Sequence, residues 1–169
     1  MLTVDDGYES FYKYIYPLCQ KYGIKANINM IVSKIGTENA LTAEQLREMS
    51  DSGLVEVGNH TYFLHRRPAE ELWGIYHDSS MYEDIIYDIS LADKILQEII
   101  GKKVVTLAYP NGISSTEVNA MVKEQLKYGI TFSTYFDTIY FNGDTSAPFN
   151  RMNRDYMQSS DDVLRLINE

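Results

Sequence analysis

Cysteine is nearly absent from this sequence: Cys19 stands alone among 169 residues, which excludes an internal disulfide and any zinc site built from several cysteines. It lies within an apolar helical pattern and reads as a small buried hydrophobe. Long apolar runs are missing too, since no stretch approaches the roughly 18 residues needed to cross a bilayer. Positive charge is in deficit, with 15 Lys and Arg against 24 Asp and Glu and a net charge of -9. The resulting field repels nucleic acid and anionic lipid and suits a neutral or cationic partner. No signal-peptide pattern, low-complexity segment or internal repeat is found; a mature or trimmed secreted domain has the same look, so compartment stays open on composition. Histidine is scarce, with three in all, so the placing of each is informative.

What is present suits a folded unit. Hydrophobic residues at 44% and charged residues at 23% exclude a wholly disordered chain, and the length fits one domain over residues 1–169. Helical and strand patterns alternate. Residues 9–24 show helical spacing through Phe11, Ile15, Leu18 and Tyr22, with Pro17 as a kink or restart, and residues 25–32 read as a strand. Thr42 with Gln45 three positions on has the spacing of a capping box, opening a helix that ends before Gly53; residues 54–60 then read as a strand running into His60. Residues 88–101 form the next helical pattern, closed by Gly101, with a strand and turn over 103–112. Helix over 114–129, strand over 130–136 and a capped terminal helix over 159–169 complete the series. Residues 65–87 lack clean periodicity and read as a long excursion.

Such alternation predicts parallel βα units, either doubly wound or closed into a barrel, and both place ligands at the carboxyl ends of the strands. Asp5-Asp6, His60 and Tyr109-Pro110 all follow predicted strands directly, so they converge on one rim. The apolar run before Asp5 is short even for a strand and reads as the cut end of one, as in a fragment of a longer protein.

The adjacent carboxylates of "TVDDG" admit a plain reading as helix cap and first-turn acid. His60 and His65, five apart, would diverge by about 140° on a continuous helix; two histidines alone fit one surface and one packed imidazole as well as a metal site. A carboxylate from another strand end completes two His and one Asp with open positions, the donor set of a catalytic divalent cation, and leaves the second aspartate free to act as a base.

At this point several stretches, in order, resemble the polysaccharide deacetylases with a NodB-homology domain, carbohydrate esterase family four. "TVDDG" resembles that family's T-F-D-D-G, and "NHTY" through His65 its His-(Ser/Thr)…His motif in the longer-spaced form of the poly-N-acetylglucosamine deacetylases. "PLCQKYGIKANINMIV", "LTAEQLREMSDSGLVEVGNHT", "LAYPNG" and "FNRMNRDYMQSSDDVLRLI" are similar to further family stretches, so the likeness covers nearly the whole chain. It implies an α/β fold, a distorted (β/α) barrel of the NodB type with a truncated first strand, and a metal-dependent hydrolase of carbon–nitrogen, non-peptide bonds. The substrate implied is a glycan carrying N-acetyl groups, an N-acetylglucosamine polymer, in the cell envelope or outside the cell. Carried over by residue, Asp5 is the general base, Asp6, His60 and His65 bind the metal, zinc by family habit, and the Tyr109 N–H helps hold the oxyanion. "AYPNG" is equally a good turn on conformational grounds. Two departures stand out. No Arg precedes Tyr109 to orient the base, a role open to Arg151, and no late His supplies a general acid. A catalytically degenerate glycan-binding domain, or a hydrolase of another amide, are the rival readings. Trp73, Tyr62 and Tyr76 either stack on sugar rings or pack their loop, and His77 reads as a surface residue.

Overall fold

A strand that alternates apolar and polar side chains has two different faces, and "ANINM" does so cleanly: Ala26, Ile28 and Met30 point one way, Asn27 and Asn29 the other. In the computed structural model, which describes residues 2–134, 147–149 and 151, this stretch is β2 (Ala26–Met30). It lies between β1 (Leu2–Val4) and β3 (Val55–Asn59), followed by β4 (Thr106–Ala108) and β5 (Ile130–Phe132). All five pair in parallel in sequential order, as in a barrel opened between its ends; a doubly wound sheet would reverse its order partway. The helices between them are α1 (Tyr16–Tyr22), α2 (Ala43–Asp51), α3 (Ala69–His77), α4 (Tyr82–Ile100) and α5 (Thr116–Met121). The terminal helix read over 159–169 lies outside the described residues.

The apolar face of the sheet meets the helices. Ile28, Met30, Val57 and Leu107 are buried there with Leu46 and Met49 of α2 and Ile85, Ile89, Ala92, Leu96 and Ile100 of α4, a stripe at helical spacing. The opposite face is small and polar. Register sets Thr3 beside Asn27, Asn27 beside Glu56, and Asn29 beside Gly58. Asn27 Nδ2 donates to Thr106 Oγ1 at 2.9 Å.

Three expectations change. The first helix begins with a π turn over Phe11–Ile15, and Pro17 restarts it as α1. One extra residue in that turn rotates the following face, so Phe11, Tyr16 and Cys19 are buried while Leu18 and Tyr22 are exposed. The excursion over 65–87 is mostly helical: α3 buries only Leu72 and Tyr76, too short a stripe for periodicity to register, and α4 starts six residues before the predicted start. Tyr76 is fully buried and cannot meet a ligand at the surface, whereas Trp73 is exposed. The capping box of Thr42 and Gln45 is formed in both directions, and Gly101 ends α4 in the left-handed region. No helix among the described residues is long and apolar enough to cross a membrane.

Gly58 is the tightest point of the polar face, because a Cβ there would lie 2.2 Å from both Asn29 Oδ1 and Thr106 Oγ1. Gly58→Ala is therefore expected to destabilise the protein by about 1–3 kcal/mol, read as a lowered midpoint in urea unfolding with an unchanged slope.

Candidate active site

β1 delivers Asp5 and Asp6 to the carboxyl rim, where Asp6 (φ 73) and Gly7 (φ 78) turn the chain sharply out of the strand. Aspartate tolerates the left-handed region better than most residues. Position 7 favours glycine, since its φ is positive and a Cβ would sit 1.9 Å from Met30 Sδ.

β3 delivers His60, which is buried, with Nδ1 2.7 Å from the Ala108 carbonyl oxygen of β4. A carbonyl only accepts, so Nδ1 carries the proton and Nε2 offers its lone pair toward Asp6 Oδ1, 3.6 Å away. Burial pushes this imidazole below its ordinary value and outweighs the attraction of the Asp5 and Asp6 charges, which favours the neutral, ligating form.

His65 arrives by a different route. Thr61 takes a left-handed conformation (φ 68), and a single 3-10 turn over Leu64–Arg66 follows. The turn brings the two imidazoles edge to face at 4.5 Å between centroids, with His65 Nε2 3.4 Å from Asp6 Oδ1. The divergence expected of a five-residue spacing on a helix is removed because the segment is not one helix. Donor atoms of Asp6, His60 and His65 all lie within 4.8 Å of one another. Two imidazole nitrogens and one carboxylate oxygen, with one imidazole fixed by its carbonyl partner, fit a zinc-like divalent cation.

Asp5 is held apart from that group. Arg151 donates through Nη1 to Oδ1 at 2.8 Å and through Nη2 to Oδ2 at 2.5 Å, and Asn29 Nδ2 donates to Oδ1 at 2.8 Å. Burial by itself would raise the carboxyl; the Arg151 fork, helped by the His60 and Asn29 interactions, outweighs it and holds Asp5 below the usual carboxylate value. The guanidinium also lies over the Phe132 ring at 5.0 Å.

Tyr109 requires a correction. Its backbone N–H donates to the Phe132 carbonyl at 3.0 Å within the β4–β5 pairing, and its hydroxyl donates to Asn119 Oδ1 at 3.0 Å. The N–H expected to hold an oxyanion is thus already engaged by sheet pairing. Pro110 has none, so the next main-chain N–H in the turn is that of Asn111 (φ 52). His77 lies at the end of α3, stacked on Trp73 at 4.2 Å and bonded to the Trp73 carbonyl. Asn29 was not singled out from the sequence, although its polar side chain at alternate positions of an apolar strand was the available signal.

A sequentially ordered parallel sheet with acids and imidazoles at its carboxyl rim has the architecture of the NodB-type deacetylases. The polysaccharide deacetylase family model matches residues 1–132, and the chain belongs to that family. It is 30% identical over 136 residues to a poly-beta-1,6-N-acetyl-D-glucosamine N-deacetylase of Staphylococcus aureus strain MSSA476, covering 77% of this chain and 46% of that protein. The chain thus spans about half the length of the curated relatives it matches. Among solved structures, IcaB from Ammonifex degensii matches with a TM-score of 0.71 at 27% identity, over 79% of this chain and 58% of that one. A de-N-acetylase from Aggregatibacter actinomycetemcomitans shares the fold with a TM-score of 0.82 at 24% identity, over 98% and 74% of the two chains.

The Arg151 fork has a pH signature. Because the Asp5 carboxyl is depressed in the fold, its stabilisation is present above the ordinary carboxylate value and is lost as pH falls through the depressed one. In Arg151→Met the share of that stabilisation supplied by the fork is lost while the cost of burial remains. The gap in melting temperature between wild type and Arg151→Met, measured without metal, is expected to widen from pH 3 to pH 6.

Proposed function

We propose that this domain hydrolyses N-acetyl groups of a glycan, an N-acetylglucosamine polymer, with Asp6, His60 and His65 holding a divalent cation, zinc by preference, and Asp5 as the general base. The observation that carries this reading is the division of labour between neighbours: Asp6 shares a donor cluster with two imidazoles, while Asp5 is turned to an arginine. Family membership and the deacetylase names of the relatives support the reaction class.

A divalent cation bound there supplies Lewis-acid chemistry, polarising the acyl carbonyl and acidifying a water. The rest falls to the chain's own side chains. Asp5, ionised and fixed by Arg151 and Asn29, takes a proton from the attacking water as its oxygen bonds to the acyl carbon. The carbon–nitrogen bond then breaks, and the proton gained by Asp5 balances the one the departing amine requires. Acetate and a free amino sugar result. His60, kept neutral by burial and aimed by Ala108, remains a ligand rather than a proton carrier through this cycle. Arg151 serves as a positioning residue, which fills the place of the arginine missing before Tyr109. The substrate class implies action at the cell envelope or outside the cell, and the acidic chain with net charge -9 suits a polymer that gains positive charge as it is deacetylated.

The assignment separates in two variants. His60→Ala is expected to lose zinc, measured by metal analysis of the purified protein, together with amine release from acetylated chitooligosaccharides. Asp5→Asn is expected to keep zinc while kcat falls by roughly 10²–10⁴; full activity in Asp5→Asn removes Asp5 from the role of base.

A further inference from the structure

The turn that carries His65 is tied down from outside by one carboxylate. Asp88 of α4 accepts the Tyr62 N–H through Oδ2 at 2.7 Å and the Phe63 N–H through Oδ1 at 2.8 Å. These N–H groups lie at the N-cap of the 3-10 turn, Phe63, and just before it, and find no partner within the turn, so Asp88 caps it from a distant element. A second tie reaches the same helix: the Thr61 N–H donates to Asn59 Oδ1 at 2.6 Å, and Asn59 Nδ2 donates to the Ile89 carbonyl at 3.0 Å and to Asp93 Oδ1 at 2.9 Å. Asp93 in turn accepts from the Tyr128 hydroxyl.

Thr61 explains why ties are needed. A β-branched residue at φ 68 is strained, and such a conformation persists only where its surroundings over-determine it. Left alone, the segment between the histidines would relax toward a helix or an extended turn, and either would carry His65 away from Asp6. α4 is a firm anchor, since Ile85, Ile89, Ala92 and Leu96 are all fully buried.

We propose that Asp88 is a positioning residue for the metal centre: acting through the backbone of Tyr62 and Phe63, it holds His65 in register with His60 and Asp6 before any cation arrives. This rests on the metal reading above. Asp88→Asn keeps the size of the side chain but offers one acceptor oxygen, and its amide opposes the second N–H. Zinc affinity, measured against a chromophoric chelator at a temperature where circular dichroism shows the metal-free variant folded, is expected to weaken by about 10–100-fold. A merely structural role would lower the melting temperature and leave that affinity unmoved; affinity within twofold of wild type overturns the proposal. A second measurement needs no variant. Amide hydrogen exchange of the metal-free wild type is expected to find Tyr62 and Phe63 protected, and free exchange at both until zinc is added overturns the proposal as well. Zinc uptake by wild type and its loss in His60→Ala serve as the control: failure there overturns the metal reading, whereas equal affinities of wild type and Asp88→Asn overturn the Asp88 role alone.

Discussion

Parallel pairing between strands that are neighbours in sequence sends all five to the same edge, and that constraint decides which residues can meet. Asp5 and Asp6 follow β1, His60 follows β3 and Tyr109 follows β4, so side chains separated by up to 104 positions share a rim without any long-range device beyond strand register. The backbone then has only to finish each strand in the right way. It does so by leaving ordinary conformational space at Asp6, Gly7, Thr61 and Asn111, every one of them next to or within a strand-end turn.

The polar face of the sheet does the electrostatic work. Asn29 and Thr106 leave no room for a bulky apolar side chain at position 58, and with Asn27 they provide a setting in which a half-buried carboxylate and a guanidinium can stand together. Asp5 would be driven toward its neutral form by burial alone; the fork from Arg151 reverses that tendency, and Asn29 fixes the rotation that the fork leaves open. The helix-facing side of the same strands is apolar throughout β2 and carries the packing. One alternation of residue types thus separates stability from chemistry across the thickness of a single sheet.

Much of this was legible in the sequence, and the exceptions have physical causes. The order of helices and strands, the Thr42 capping box and the placing of Asp5, Asp6 and His60 at strand ends follow from local pattern plus the parallel-sheet rule, whereas the turn that brings His65 to them does not. The π turn at Phe11–Ile15 was not legible, because an inserted residue rotates the face of a helix without altering its composition. Nor was α3, whose two buried residues are too few to set a period. The engagement of the Tyr109 N–H is not legible either, because a main-chain N–H carries no mark in sequence of whether the neighbouring strand uses it; here Phe132 does. Asp88 is invisible for a related reason: its partners are peptide groups, which every residue has.

The ion pair between Asp5 and Arg151 joins positions 146 apart, close to the largest separation this chain allows. Contacts of that span are among the last to form, since loop closure must be paid before they contribute. The donors of Asp6, His60 and His65, with the Ala108 carbonyl that orients His60, are all in place by residue 108. On a growing chain, the residues of the metal-type cluster are therefore all synthesised before the arginine that aims the carboxylate beside it. Chain order thus separates what the finished rim shows side by side: the donor cluster is written into the chain ahead of the arginine that orients its neighbour.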